Sequence, residues 1–83
     1  MMKFTCYPNP RSEKVKAEFS FDSGQRTKLS LISIKGQLIW EDKSVYSTGE
    51  HKEMIDLSKI AKGIYHVNLQ TENEVLSVRI LKD

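Results

Sequence analysis

The sequence predicts an all-β fold, an antiparallel β-sandwich. Three observations carry this expectation. Apolar residues recur at every second position instead of at the three-and-four spacing of a helix, most clearly in KVKAEFSF (residues 14–21) and YHVNLQ (residues 65–70). Such segments recur about seven times at spacings of roughly 8–12 residues, separated by Gly, Pro or polar turn clusters. With 83 residues, 39% of them hydrophobic and 29% charged, the chain has the composition of one ordinary globular domain, and a chain this short buries only about 60–65% of the surface it exposes when unfolded. About seven short alternating strands in one small core read as an immunoglobulin-like sandwich.

The elements follow in order. FTCYPNP opens as a strand that ends in YPNP; Pro8 and Pro10 fix their own φ, lack backbone donors and force their predecessors to be extended. A rigid turn at a strand end is therefore expected at Tyr7, Pro8, Asn9 and Pro10. Residues 14–21 place Val15, Ala17, Phe19 and Phe21 on one face of a half-buried strand, and DSGQ (residues 22–25) turns the chain. Leu29, Leu31, Ile32 and Ile34 make the next strand apolar on both faces near its end, which suits a central position. Lys35-Gly36 then joins it to Leu38, Ile39 and Trp40, giving a hairpin over residues 27–41 in which Gly36 supplies positive φ.

Residues 42–50, DKSVYSTGE, are polar and contain Gly49, and are expected to form a loop or ragged edge. Met54, Ile55 and Leu57 give a short strand leading into a single turn at residues 58–60. Gly63 opens a strand with Tyr65, Val67 and Leu69 on one face, TENE (residues 71–74) reverses the chain, and VLSVRILK closes it with Leu76, Val78 and Ile80 on one face.

Composition and charge exclude several functions. The 13 Lys and Arg and 11 Asp and Glu alternate along the chain for a net charge of +2, without the concentrated basic stripe that a nucleic-acid partner requires. No apolar run approaches the roughly 18 residues of a membrane-spanning helix, and the start MMKFTCYPNP lacks the apolar core and small-residue site of an export signal, so none is expected in this segment. Cys6 is alone, which excludes an internal disulfide and suits a small apolar residue of the first strand.

Catalytic ingredients do not assemble. His51 and His66 lack any metal-ligand spacing and read as solvated surface histidines, His51 in a loop. Glu53 and Asp56, three apart on a strand, point to opposite faces and cannot share a proton; Asp56 fits a loop or capping role. The four dispersed glycines form no phosphate-cradling loop, and no cofactor is expected. Trp40 and Tyr46 are the aromatics that could stack on a sugar ring, provided both are exposed on one surface; core or edge packing is their commoner use. No enzyme is expected.

YPNP near the start, LSLISIKGQLIW, STGEHKEMIDLSKIAKGIYHVNLQT and the closing VLSVRILK occur in an order and at spacings that resemble the C-terminal sorting domain of the type IX (Por) secretion system of Bacteroidota, type A. The likeness runs from Phe4 to Lys82. It implies an immunoglobulin-like sandwich at the C-terminus of a larger cargo, acting as an address. The cargo crosses the inner membrane by a separate N-terminal signal, and the folded domain is recognised by outer-membrane type IX machinery. A sortase-like peptidase usually removes it, and the cargo is released or attached at the cell surface.

Carried over by position, Tyr7, Pro8, Asn9 and Pro10 match the opening motif. Gly36 matches the hairpin glycine, Gly49 the loop glycine, and Asp56, Leu57, Gly63, Ile64 and Tyr65 the segment before the penultimate strand. Arg79 and Lys82 stand where the family favours basic residues, while Asp83 departs from its basic or apolar ending. The Met1-Met2 start is expected to reflect excision from a longer protein or an orphaned gene fragment. YPNP has a second reading, in which it shortens an edge and stiffens the link to an upstream domain. Exposed edge strands also allow a weak or domain-swapped homodimer. The alternative from a different class is a carbohydrate-binding or adhesive sandwich module.

Overall fold

A computed structural model describes residues 3–9 and 13–83. Pro10, part of the expected opening motif, lies outside the described residues, as does the side chain of Asn9. Seven strands follow one another: β1 (Lys3–Asn9), β2 (Lys14–Phe21), β3 (Gln25–Ser33), β4 (Leu38–Tyr46), β5 (Gly49–Asp56), β6 (Gly63–Gln70) and β7 (Val75–Lys82). They form a three-stranded sheet in the order β1-β2-β5 and a four-stranded sheet in the order β4-β3-β6-β7. Every pairing is antiparallel. This is the expected immunoglobulin-like sandwich.

The period of two decides what lies between the sheets. Val15, Ala17, Phe19 and Phe21 of β2 face Leu29 and Leu31 of β3 and Tyr65, Val67 and Leu69 of β6, with Ile55, Leu57 and Ile80 completing the core. Burying each Leu, Ile, Val or Phe contributes about 1.5–3 kcal/mol. Among the described residues, the ion pairs Lys16–Glu18 at 3.1 Å and Lys43–Glu41 at 3.8 Å reach solvent and contribute about 0–1 kcal/mol each. Apolar burial therefore dominates stability.

Gly36 has φ 87° and closes the β3–β4 hairpin, with its N–H donating to the Ser33 carbonyl at 2.9 Å and the Ser33 N–H donating to the Gln37 carbonyl at 2.8 Å. That is a turn followed by one left-handed residue, the arrangement of a three-residue hairpin loop, and Gly takes it without a Cβ penalty. β3 is central, as expected from its two-sided apolarity. Ile34, however, lies in the turn and is exposed.

Two expectations need correction. Tyr7 to Asn9 do not form a turn: they continue β1, with Tyr7 opposite Lys16, Pro8 opposite Val15 and Asn9 opposite Lys14. β1 borders its sheet, and an edge strand has one row of backbone groups with no ladder partner, so a residue without an N–H fits there. Residues 42–46 are not a loop either. They extend β4 opposite Gln25 to Leu29, leaving only Ser47 and Thr48 between β4 and β5. A sheet-border strand needs backbone pairing on one side only, so its side chains can be polar.

Candidate functional site

One end of the sandwich gathers most of the residues singled out by the sequence. Register fixes which end: Asn9 pairs with Lys14, Lys14 with Asp56, and Gly63 with Lys82. The chain leaves β5 at this end, turns through residues 57–62 and enters β6.

Local chemistry builds the turn. Asp56 is fully exposed, and its Oδ1 accepts the Ser58 N–H at 2.8 Å. Hydrogen bonds from the Ser58 backbone and hydroxyl hold the carboxyl below its ordinary range. This is the capping role expected for Asp56. The Leu57 side chain is buried in the core, its N–H donates to the Glu13 carbonyl at 2.8 Å, and its carbonyl receives the Ile60 N–H at 3.3 Å.

Gly63 restarts the chain at φ 151°, and Tyr65 turns its hydroxyl back to donate to the Ala61 carbonyl at 2.6 Å. A tyrosine near the start of this strand bonding to backbone a few residues upstream is the tyrosine corner of immunoglobulin-type sandwiches. Ile64 has the opposite direction, opposite Leu81 on the outer face of the four-stranded sheet.

Lys82, at the end of β7, completes the turn. Its Nζ donates to the Leu57 carbonyl at 2.5 Å and to the Ile60 carbonyl at 2.7 Å. An ammonium with three donors suits two converging carbonyls, and bonds from a charged donor are the stronger kind.

Beside this turn, between β1 and β7, lies a groove of about 360 Å³. Pro8, Leu57, Arg79 and Lys82 line it together with Cys6 and Glu13. β1 and β7 touch although they belong to different sheets. Burial pushes the Cys6 thiol up to about 12 from 9.0, which favours the protonated form over the thiolate.

Other expected residues lie apart. Tyr7 points away from the groove, onto the outer face of the three-stranded sheet, and is 52% exposed. Gly36 closes a hairpin at the same end of the four-stranded sheet, where Ser33 pairs with Tyr65, and is not among the residues that line the groove. Gly49 pairs with Phe21 at the opposite end of the sandwich. Glu13, which sequence reasoning missed, carries a positive φ of 53° while its carbonyl receives Leu57; a left-handed non-glycine leaves no compositional signal.

One further correction concerns His51, and the aromatics follow their commoner use. His51 is half-buried in β5 and not in a loop, with ring centroids 4.7 Å from Tyr46 and 5.9 Å from Phe19. Its Nε2–H donates to the Ser47 carbonyl at 2.8 Å. Tyr46 packs edge-on to Phe19 at 4.9 Å and donates to Glu53 Oε1 at 2.8 Å. Trp40 stands six positions away on the same strand, roughly 20 Å at a strand's rise per residue. The two aromatics therefore form no joint exposed platform. Among the described residues no group of three or more His, Cys, Asp and Glu could hold a metal ion.

The turn after β5, the glycine-led β6 and the basic-apolar β7 all lie within the span of one family model. The family model for the secretion system C-terminal sorting domain matches residues 5–83. The chain belongs to that family. It is a sorting domain of type IX secretion, a signal for export to the cell surface or beyond the outer membrane by that system's machinery. No curated protein matches this chain.

Within the sorting domain these residues have separate physical roles. Asp56, Leu57, Gly63, Tyr65 and Lys82 build one turn and fasten it. Tyr7 and Ile64 remain on outer surfaces, and Arg79 and Leu81 of β7 stand exposed where they line the groove, with Tyr7 and Leu81 exposed among the large apolar residues.

Proposed function

We propose that residues 1–83 act as one non-catalytic sorting domain at the C-terminus of a longer cargo, read at the outer membrane after the cargo has crossed the inner membrane by its own N-terminal signal. A sortase-like peptidase then removes it, and the cargo is released or held at the surface. The observation that carries this reading is the convergence of Pro8, Leu57, Arg79 and Lys82 on one groove. β1 starts at the other end, where Lys3 pairs with Ser20 and Ser20 with Glu50. A cargo joined upstream would therefore leave the groove end unobstructed.

β7 borders the four-stranded sheet. Its outer ladder groups suit recognition by strand addition, in which backbone bonds supply affinity and alternate side chains supply specificity. Leu57, Tyr65 and Lys82 act indirectly, by setting the shape of the turn beside that strand, while Arg79 is the residue that meets the machinery.

The test fuses the 83 residues behind a fluorescent reporter bearing a signal peptide, in a Bacteroidota host with and without a working type IX system. Export only in the competent host is expected; periplasmic retention of a folded domain in both hosts would overturn the reading. Proline at Ser77 or Arg79 probes the strand-addition step, which is wrong if a folded variant is still exported at the parent level.

A further inference from the structure

The four-stranded sheet has a second border, β4, and its side chains form a pattern that matches itself. We infer that two copies of this chain pair antiparallel through β4, in register about Asp42, joining their four-stranded sheets into one continuous sheet. This self-association surface is distinct from the groove and from β7.

Three observations point to a second copy as the occupant. Among the described residues β4 is hydrogen-bonded on one side only, to β3, and it exposes Leu38, Ile39, Trp40 and Val45, the last 77% exposed. A long border strand carrying apolar side chains is a template for pairing.

The second observation is charge complementarity. With a two-fold axis through Asp42, residue n of one copy faces residue 84 − n of the other, since 42 + 42 = 84. Glu41 then faces Lys43 of the second copy, and Lys43 faces its Glu41. Ile39 and Val45 face each other in the same reciprocal way, and Trp40 faces Ser44. The paired positions share parity, so outer faces meet outer faces and the two sheets continue one another. Asp42 against Asp42 is the one like-charge contact.

The third observation lies inside the single chain. Lys43 stands directly opposite Lys28 of β3, a like-charge pairing that is unfavourable across strands. Glu41 lies on the same face, 3.8 Å from Lys43. A second copy adds a further carboxylate against each Lys43 and relieves the repulsion.

The other borders lack this symmetry. The charges of β7 are Arg79 and Lys82, both cationic; β5 carries Glu50, Glu53 and Asp56 against Lys52; and β1 contains Pro8. In β4 the lysine that would otherwise blunt an edge finds its opposite charge in the pairing itself.

A charge swap tests the register. Sedimentation over a concentration series is expected to show a reversible dimer of the wild-type chain. Glu41→Lys and Lys43→Glu should each weaken it by about tenfold, because two attractive cross-strand pairs become repulsive. The double variant should restore it, and Asp42→Asn should tighten it by removing the contact on the axis. Circular dichroism verifies that these surface variants stay folded. A wild-type chain that is monomeric at every concentration overturns the proposal, as does a dimer indifferent to the single swaps or one that the double swap fails to restore. A strand-swapped dimer would show that indifference.

Discussion

Lys82 Nζ donates to the Leu57 carbonyl at 2.5 Å and to the Ile60 carbonyl at 2.7 Å, so the last strand fastens the turn that links the two sheets. Leu57 is held three ways: by its buried side chain, by the Glu13 carbonyl and by Lys82. Mutational effects at this end should therefore separate into those that loosen the turn and those that leave it intact.

Replacing Lys82 by Met keeps the length of the side chain and removes the donors. Two part-buried carbonyls lose their charged partner, which should cost about 1–3 kcal/mol in denaturant unfolding. Faster amide exchange over residues 57–62, with β2 and β3 unaffected, is the expected local signature.

Arg79 provides the contrast. It lines the groove, is exposed and lies outside the core, so Arg79→Glu should leave unfolding within about 0.5 kcal/mol of the parent. Export in the reporter assay should nevertheless fall. Equal export of parent and variant would mean that β7 is not read through this side chain.

Tyr65→Phe removes a single hydroxyl from the tyrosine corner. The Ala61 carbonyl loses its 2.6 Å donor, and a loss of about 1 kcal/mol is expected from thermal or chemical unfolding.

Gly36→Ala isolates torsional strain, because a Cβ at this position meets nothing within 4 Å. The left-handed φ of 87° should make the substitution cost about 1–2 kcal/mol. Gly36→Asn should cost less, since Asn adopts that region more readily.

Alkaline pH should weaken the fold in a defined window. The Cys6 thiol titrates near 12 in the folded chain against 9.0 ordinarily, and the Tyr46 hydroxyl near 12 against 10.0, burial being the first cause for both. Both folded values are raised. Below pH 9 both groups are neutral in either state and stability is at its full value; between about 9 and 12 the unfolded chain ionises first and stability falls. Cys6→Ala should shallow the onset of that fall, measured as denaturation midpoint against pH, and Tyr46→Phe its later part.

Legibility differed from element to element. β2, β6 and the inner face of β7 were readable because one face of each meets the core, and alternate burial writes a period of two into the residues. Gly36 and Asp56 were readable because their roles are settled within four residues of chain. β4 was not, since Asp42 to Tyr46 lie on a border where pairing with β3 alone keeps the strand extended. Pro8 misled for the same reason: its missing donor argues against a central strand but is harmless at an edge.

The sequence by itself determined the sandwich class, its seven strands and the inward residues of the central ones, because these follow from local φ preferences and the alternation of side chains. Tertiary structure decided which loops meet. The bonds from Lys82 to Leu57 and Ile60 span 25 and 22 residues, and the approach of β1 to β7 joins strands from opposite ends of the chain. Contacts of that separation come from how two sheets stack, a property of the whole core that no local run of residues encodes.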